Sequence, residues 1–474
     1  MLINVKMLRI LVLSCILILN FNISNCEDIC SLCDCKANAL DCSEKTISVV
    51  PDNLKNGNKS IILFEHNSII HLHKLPQLKV TYLSFAYNSI NRIDDSAFKN
   101  LYNLTTLDLS NNYLTSSSLM PNVFKGNYLP EMYEPLRSLK ELNLSNNLLH
   151  TLHPAVFEHL PYLEKLILSK NPLKVLNQGI VNALSSLPHL KELHLSNASL
   201  KVLPENIFHG PRYLEVIDLS YNQFREPPIQ LENTHSLKWL SLDGNPFKYI
   251  ESFMTLPFLQ ILHLSKMPEL VTIKNRSLST LPLLEEFYCS DNRKLVKISK
   301  DAFSARSNQD EEGEVWPPLK VLVLNNNALR YIESHLVSRW ESLKVIDLQQ
   351  NPWMCDCENQ WLVSTLTPII QKTSPEMLNS FQCSGPRNKK YVAIEKLSNQ
   401  TLPCSQTGKS FNVKQFYYGV AVLLIAIVPS IFVGFLYYSK AAVHNTKHYP
   451  QYEMYEYSRL RDKNIPIECT SLHF

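Results

Sequence analysis

Apolar and polar positions in the interior of the chain follow a frame that repeats. Leu104-Thr-Thr-Leu107-Asp-Leu109-Ser-Asn-Asn112 returns as Leu163-Glu-Lys-Leu166-Ile-Leu168-Ser-Lys-Asn171. It returns again as Leu214-Glu-Val-Ile217-Asp-Leu219-Ser-Tyr-Asn222 and Leu343-Lys-Val-Ile346-Asp-Leu348-Gln-Gln-Asn351. The units close at Asn67, Asn88, Asn112, Asn147, Asn171, Ala198, Asn222, Asn245, Met267, Asn292, Asn327 and Asn351. That makes about twelve units of roughly 24 residues. Alternating apolar positions predict a short strand with one buried face, and the later asparagine can satisfy backbone groups where the chain turns. No unit can bury its own leucines. Neighbours must stack, which predicts a curved solenoid with a parallel sheet along its concave side.

Some positions depart from the frame. Ala198 and Met267 stand where asparagine is expected, so the sixth and ninth turns must satisfy their backbone differently. Cys289 falls inside a strand and reads as a small buried hydrophobe. Two insertions, residues 115–138 and 304–318, lengthen the period and are predicted as loops on one face. The second carries Asp310, Glu311, Glu312 and Glu314, an acidic stretch read as solvated.

The pattern changes at both ends. Lys6 and Arg9 precede an apolar run over residues 10–19, the layout of a signal peptide over residues 1–26. A second apolar run, residues 416–438, is long enough to span a bilayer as one helix. Tyr417 and Tyr418 flank one end, Tyr437 and Tyr438 the other, and Pro429 is expected to kink it. With the signal cleaved, the body faces outside and residues 439–474 form a cytoplasmic tail of a type I plasma-membrane protein. That tail holds Tyr449, Tyr452, Tyr455 and Tyr457, and Tyr457-Ser-Arg-Leu460 resembles a tyrosine-based internalisation signal. Phosphorylation would equip these tyrosines to dock cytoplasmic adaptors; a disordered tail without that role is the alternative.

Charge and cysteine usage narrow the class further. A net charge of +3 over 474 residues is too small to point to nucleic acid, and 10 glycines leave little material for phosphate-cradling loops. No nucleophile elbow, metal-binding helix motif or framed carboxylate pair is present, so neither enzyme activity nor a cofactor is expected. His194 and His263 read as solvated residues of the concave face. Cys30, Cys33, Cys35 and Cys42 precede the repeats, and Cys355, Cys357, Cys383 and Cys404 follow them. In an exported chain these even-numbered groups read as disulfide frameworks, with zinc sites as the alternative that export disfavours.

Asn351-Pro-Trp353-Met-Cys355-Asp-Cys357, with Trp361, Cys383 and Cys404 downstream, resembles the C-terminal cysteine cap of the extracellular leucine-rich-repeat membrane proteins. The first cysteine group resembles their N-terminal cap. The resemblance implies an α/β leucine-rich-repeat solenoid, a curved horseshoe with disulfide caps, plus one transmembrane helix. It also implies the pairings Cys30–Cys35, Cys33–Cys42, Cys355–Cys383 and Cys357–Cys404. A narrower likeness to trophoblast-glycoprotein-like members is carried by Pro172-Leu-Lys-Val-Leu176-Asn-Gln-Gly179 and the tyrosine-rich tail. The chain divides accordingly into a signal peptide (1–26), N-terminal cap (27–58), repeats (59–352), C-terminal cap (353–405), stalk (406–415), transmembrane helix (416–438) and tail (439–474).

The outward positions of the strands are the candidate binding surface. Lys140-Glu141, Glu164-Lys165 and Lys191-Glu192 place opposite charges on adjacent strands, a surface that neutralises itself laterally. Farther along stand Val216, Trp239, Ile261, Tyr288, Val321 and Val323, an apolar stretch that could anchor a partner, with Trp239 foremost. The alternative is that these side chains pack sideways along the sheet. Candidate glycan acceptors are Asn58, Asn103, Asn143, Asn197, Asn275 and Asn399, and a glycan on Asn143 would shield the earlier repeats. The functional expectation is a receptor or co-receptor that binds an extracellular protein and modulates signalling. Adhesion, including self-association, is the alternative.

Overall fold

The computed structural model describes residues 29–404, apart from 53, 55, 56, 58, 130, 131, 307–312 and 379, together with residues 431–439. The chain divides into two compact units, Met1–Cys404 and Ser405–Phe474. In the second, residues 431–439 are helical and expose Ile431, Phe432, Val433, Phe435 and Leu436. Among the described residues no helix is long and apolar enough to cross a membrane. The signal segment, Asn58, the stalk, residues 416–430 of the second apolar run and the tail residues Tyr449, Tyr452, Tyr455, Tyr457 and Leu460 lie outside the described residues.

The first unit is a solenoid built on a 14-stranded sheet. Each repeat contributes a three-residue strand, from Ile61–Leu63 in the first to Val345–Asp347 in the twelfth, paired in parallel with its neighbours. The register is residue for residue: Trp239 lies beside Ile261 and Leu240 beside Leu262. The middle residue of every such strand, from Ile62 through Leu240 to Ile346, is fully buried. Each such leucine contributes about 1.5–3 kcal/mol of burial, set against the entropy of ordering its coil. At the N-terminal end, Asp34–Cys35 and Ala39–Asp41 form an antiparallel hairpin whose second strand pairs with Ile61–Leu63. The sheet therefore begins on a hairpin instead of an open repeat edge.

The repeating asparagine joins one coil to the next. Asn171 is buried; its Nδ2 donates to the carbonyls of Leu144 and Leu168, and its Oδ1 accepts from the Leu149 N–H. Asn112, Asn147 and Asn351 make the equivalent three bonds, and Asn327 makes the same two donor bonds while its Oδ1 accepts from Asn292 N. The residue before each ladder position, His66 through Gln350, has a left-handed backbone in all twelve repeats. Its N–H can thereby reach the next coil, as Lys170 does to Ser196 O at 2.8 Å. Only one of the twelve is glycine. At Gly244 a Cβ would sit 2.5 Å from the Tyr221 ring, so the missing side chain makes room for that tyrosine.

At the two exceptional turns the following repeat compensates. Asn222 Oδ1 accepts from both Ala198 N and Leu200 N, and Asn292 Oδ1 accepts from Met267 N. The burial of Ala198 and Met267 is otherwise complete or nearly so.

The returning limbs correct the α/β expectation in detail. Among the described residues of the repeats, only Gln178–Ser185 is an α-helix, capped by Asn177, whose side chain accepts from Ile180 N. The other limbs are turns, 3-10 segments and two-residue strands. A limb in a unit of about 24 residues is too short for a helix of several turns, whereas the helix-bearing unit runs from Asn171 to Ala198 and is longer. Both insertions form hairpins instead of plain loops: Asn127–Leu129 with Met132–Glu134, and Ala305–Arg306 with Glu314–Val315.

Replacing Asn222 with Ala is expected to cost about 3 kcal/mol or more, because it strands several buried backbone groups in two repeats at once. A denaturant titration should place it well below Asn103→Ala, an exposed site outside the ladder, which is expected to leave the midpoint nearly unchanged.

Candidate functional site

Two rows of side chains project from the outer face of the long sheet, one on each side of the buried middle residue, and a third precedes the strands. In that third row Lys140 and Lys191 both bond Glu164, at 2.8 Å each, and Lys238 bonds Glu215 at 2.8 Å. In the first strand row Lys165 sits between Glu141 at 3.3 Å and Glu192 at 3.4 Å. The hydrogen bonds from Lys140 and Lys191 hold the Glu164 carboxyl down at about 2. These ladders neutralise repeats four to six, as the alternating sequence predicts.

The apolar stretch is divided between rows. Val216, Trp239, Ile261 and Val321 share the first strand row, interrupted by Glu286; Tyr288 and Val323 belong to the second. All six are half-buried, because each packs against its neighbours along the sheet. What draws the two rows together is a residue read from sequence as merely solvated. His263 stacks on Tyr288, with centroids 4.4 Å apart and planes 9° from parallel, and lies 5.3 Å from the Trp239 ring. Burial lowers its pKa below the ordinary histidine value. A signal was available in sequence: His263 is two residues after Ile261, on the same outward face, in the strand between those of Trp239 and Tyr288.

Carboxyl groups border the aromatic trio. Tyr288 donates its hydroxyl to Glu286 at 2.8 Å; burial and that carboxylate push the phenol up to about 12. Asp218 lies 3.8 Å from His194 and accepts from Ser220 N. Burial would raise Asp218, but the nearby His194 and the hydrogen bonds from Ser220 outweigh it and lower the pKa. Burial raises Asp243 to about 6; the Asp218 charge adds to this and the Ser265 N–H offsets only part of it. The resulting surface is an aromatic and aliphatic patch edged by acids, next to a charge-balanced ladder.

Away from the patch, Asn103, Asn197, Asn275 and Asn399 are exposed. Asn143 is half-buried on the outer face, its Nδ2 donating to Asp108 at 3.0 Å, so a glycan on that nitrogen would rise over the earlier strands. Disulfides join Cys30 to Cys35, Cys33 to Cys42, Cys355 to Cys383 and Cys357 to Cys404, which leaves no thiolate in either group for zinc. Cys289 is buried and unpaired; burial pushes its thiol up, and Asn292 Nδ2 lies 3.1 Å from its sulfur. In the C-terminal cap Trp353 is fully buried and donates to Leu348 O, tying the cap to the twelfth repeat.

Coils linked by an asparagine ladder, with disulfides at both ends, define a capped repeat solenoid. The chain carries leucine-rich repeats: the family model for the leucine rich repeat matches residues 78–127, 130–187 and 188–247. Lumican of Gallus gallus is 33% identical over 191 residues, 39% of this chain and 50% of lumican. CD180 antigen of Mus musculus is 27% identical over 404 residues, 82% of this chain and 52% of its own. Podocan of Mus musculus is 26% identical over 363 residues, 64% and 57% of the two chains. The chain thus spans about half the length of these curated relatives. Among solved structures, a chain of the octameric complex of latrophilin 3, Unc5D and FLRT2 matches with a TM-score of 0.48 at 20% identity, covering 79% of this chain and 99% of that one. Human trophoblast glycoprotein matches with a TM-score of 0.35 at 18% identity, over 79% and 98%.

Two outcomes test these electrostatics. Because the folded pKa of Asp243 lies above its ordinary 3.8, folded chains hold a proton that unfolded chains release between 3.8 and about 6. Stability therefore falls as pH rises through that window, and the penalty is complete above it. Asp243→Asn, which keeps an oxygen for Ser265 N, should flatten this dependence and stabilise the neutral-pH protein by about 1–2 kcal/mol. Glu164→Gln removes a partly exposed ladder carboxylate and is expected to change stability by less than about 1 kcal/mol, with the difference shrinking in high salt.

Proposed function

We propose that this chain is a cell-surface protein that binds an extracellular protein partner through the outer face of repeats seven to eleven, acting as a receptor or co-receptor that modulates signalling. The observation that carries the reading is the Trp239–His263–Tyr288 cluster, with His263 stacked on Tyr288 and tilted against Trp239, continued by Val216, Ile261, Val321 and Val323. Half-buried aromatic rings on a rigid sheet lose little entropy when a partner covers them, and Trp and Tyr dominate interface energetics. The acids at the border would select a partner with basic or hydrogen-bond-donating groups around an apolar centre. A glycan on Asn143 would leave this half of the face open. The similarity to CD180 antigen over most of the chain is compatible with an exported role.

In this reading residues 1–26 direct export and residues 416–438 anchor the chain as one membrane-spanning helix, with Tyr449, Tyr452, Tyr455, Tyr457 and Leu460 available to adaptors. The helical stretch 431–439, with its exposed apolar side chains, supports such an anchor.

Self-adhesion is the second reading, favoured by one feature. The row Lys140, Glu164, Lys191, Glu215, Lys238 alternates in sign, so a reversed copy shifted by one strand would meet it with opposite charges.

Cells displaying the full chain should capture a saturable ligand from a panel of purified extracellular proteins. Trp239→Ala should weaken capture by about 30-fold or more, and Glu164→Gln by less than about twofold. Capture insensitive to both Trp239→Ala and Tyr288→Ala would move the binding site elsewhere. Clustering of expressing cells with one another, and not with labelled non-expressing cells, would favour adhesion.

A further inference from the structure

The returning limbs of the first two repeats carry a second cluster of side chains, remote in sequence from the aromatic patch. His71–Leu72 and Arg92–Ile93 are parallel two-residue strands, with His71 beside Arg92 and Leu72 beside Ile93. Leu72 and Ile93 are buried in the core. Because side chains alternate along a strand, His71 and His73 must share the outward face, with Asp94 beside them from the next coil. The Asp94 N–H donates to Leu72 O at 2.9 Å and fixes that placement. His71 Nε2 donates to Asp94 Oδ1 at 2.7 Å, and His73 Nδ1 donates to Oδ2 at 3.2 Å. The two imidazole centroids are 3.9 Å apart.

We propose that His71, His73 and Asp94 form a binding site for a divalent transition-metal ion of the zinc type, with its remaining coordination positions open to water or to a ligand from outside. One ligand atom from each residue lies within 4.8 Å of the other two. Metal–ligand bonds of about 2.0–2.1 Å in a tetrahedral shell put donor atoms about 3.3 Å apart, so small side-chain rotations suffice. Two imidazole nitrogens and one carboxylate oxygen suit zinc and its neighbours, whereas calcium and magnesium require oxygen-rich shells. The His73 side chain is about half exposed, so the open positions are reachable from solvent, and Asp94 also lines a neighbouring groove with Arg92 and Asp95. Arg92 and Lys74 oppose a cation there and Asp94 and Asp95 favour one. The surrounding field is roughly balanced, and affinity must come from the ligand bonds themselves.

A second group, Asp301, Glu314 and His335, offers one nitrogen and two carboxylates and is more exposed, with Glu314 also 3.9 Å from Arg276. It is the weaker candidate and serves as the control. The competing account of the first cluster is a hydrogen-bonded clasp between two coils that holds no metal.

The test is calorimetric titration of zinc chloride into the full-length chain after chelator treatment and dialysis. One zinc ion per chain should bind saturably in the micromolar range. His73→Gln, at a partly exposed position, should weaken binding by about tenfold or more while circular dichroism stays unchanged; Asp94→Asn should do the same and His335→Ala should not. Cobalt added in place of zinc should give the visible absorption of a low-coordinate nitrogen–oxygen site in the parent chain and lose it in His73→Gln. Zinc binding that is absent, or equally tight in His73→Gln and the parent, would overturn the site and leave the clasp.

Discussion

Every coil of this solenoid leaves the sheet through a corner that is closed to water, and the peptide groups at that corner must find partners inside the protein. One asparagine amide meets the need because it donates and accepts at the same time. Asn171 binds carbonyls in its own repeat and the one before, and takes an N–H from the preceding coil. The left-handed residue before each ladder position follows from the same demand, since it aims a further N–H at the next coil. Leucine burial supplies the driving force for stacking, but it is non-directional. The amide ladder sets the angle and register at which coils stack.

That register is what gives the outer face its properties. Strands aligned residue for residue bring equivalent side chains side by side, so a sequence that alternates lysine and glutamate becomes an ion-pair ladder. The same alignment gathers a tryptophan, a histidine and a tyrosine from three successive strands into one aromatic cluster. Neither surface would survive a slip of one residue, which would turn the buried leucines outward.

The stacking principle was legible because periodicity reports it directly: leucines at alternating positions and an asparagine at a fixed offset have few other physical solutions. The charge ladders were legible for the same reason, since strand neighbours follow from the repeat. The returning limbs were less so. Their residues pack against other limbs, and whether a limb is helical turns on a few residues of length, as the single helix Gln178–Ser185 illustrates. His263 was misread because a histidine alone carries no sign of its neighbours; only placing it between the strands of Trp239 and Tyr288 reveals the stack. The compensation by Asn222 and Asn292 was likewise hidden, because the asparagine that rescues a turn lies in the following repeat.

The absence of a ladder amide at Ala198 and Met267 has a mechanical meaning. At the junctions of repeats five with six and eight with nine, the side-chain rungs are replaced by lighter ties, Ser196 to Ser169 and Ser265 N to Asp243. The amide ladder is thereby divided into three blocks, and the two seams between them rest on the strand hydrogen bonds and these lighter ties. Trp239 and His263 lie on opposite sides of the second seam, so a partner seated across both rings would act as a splint over it.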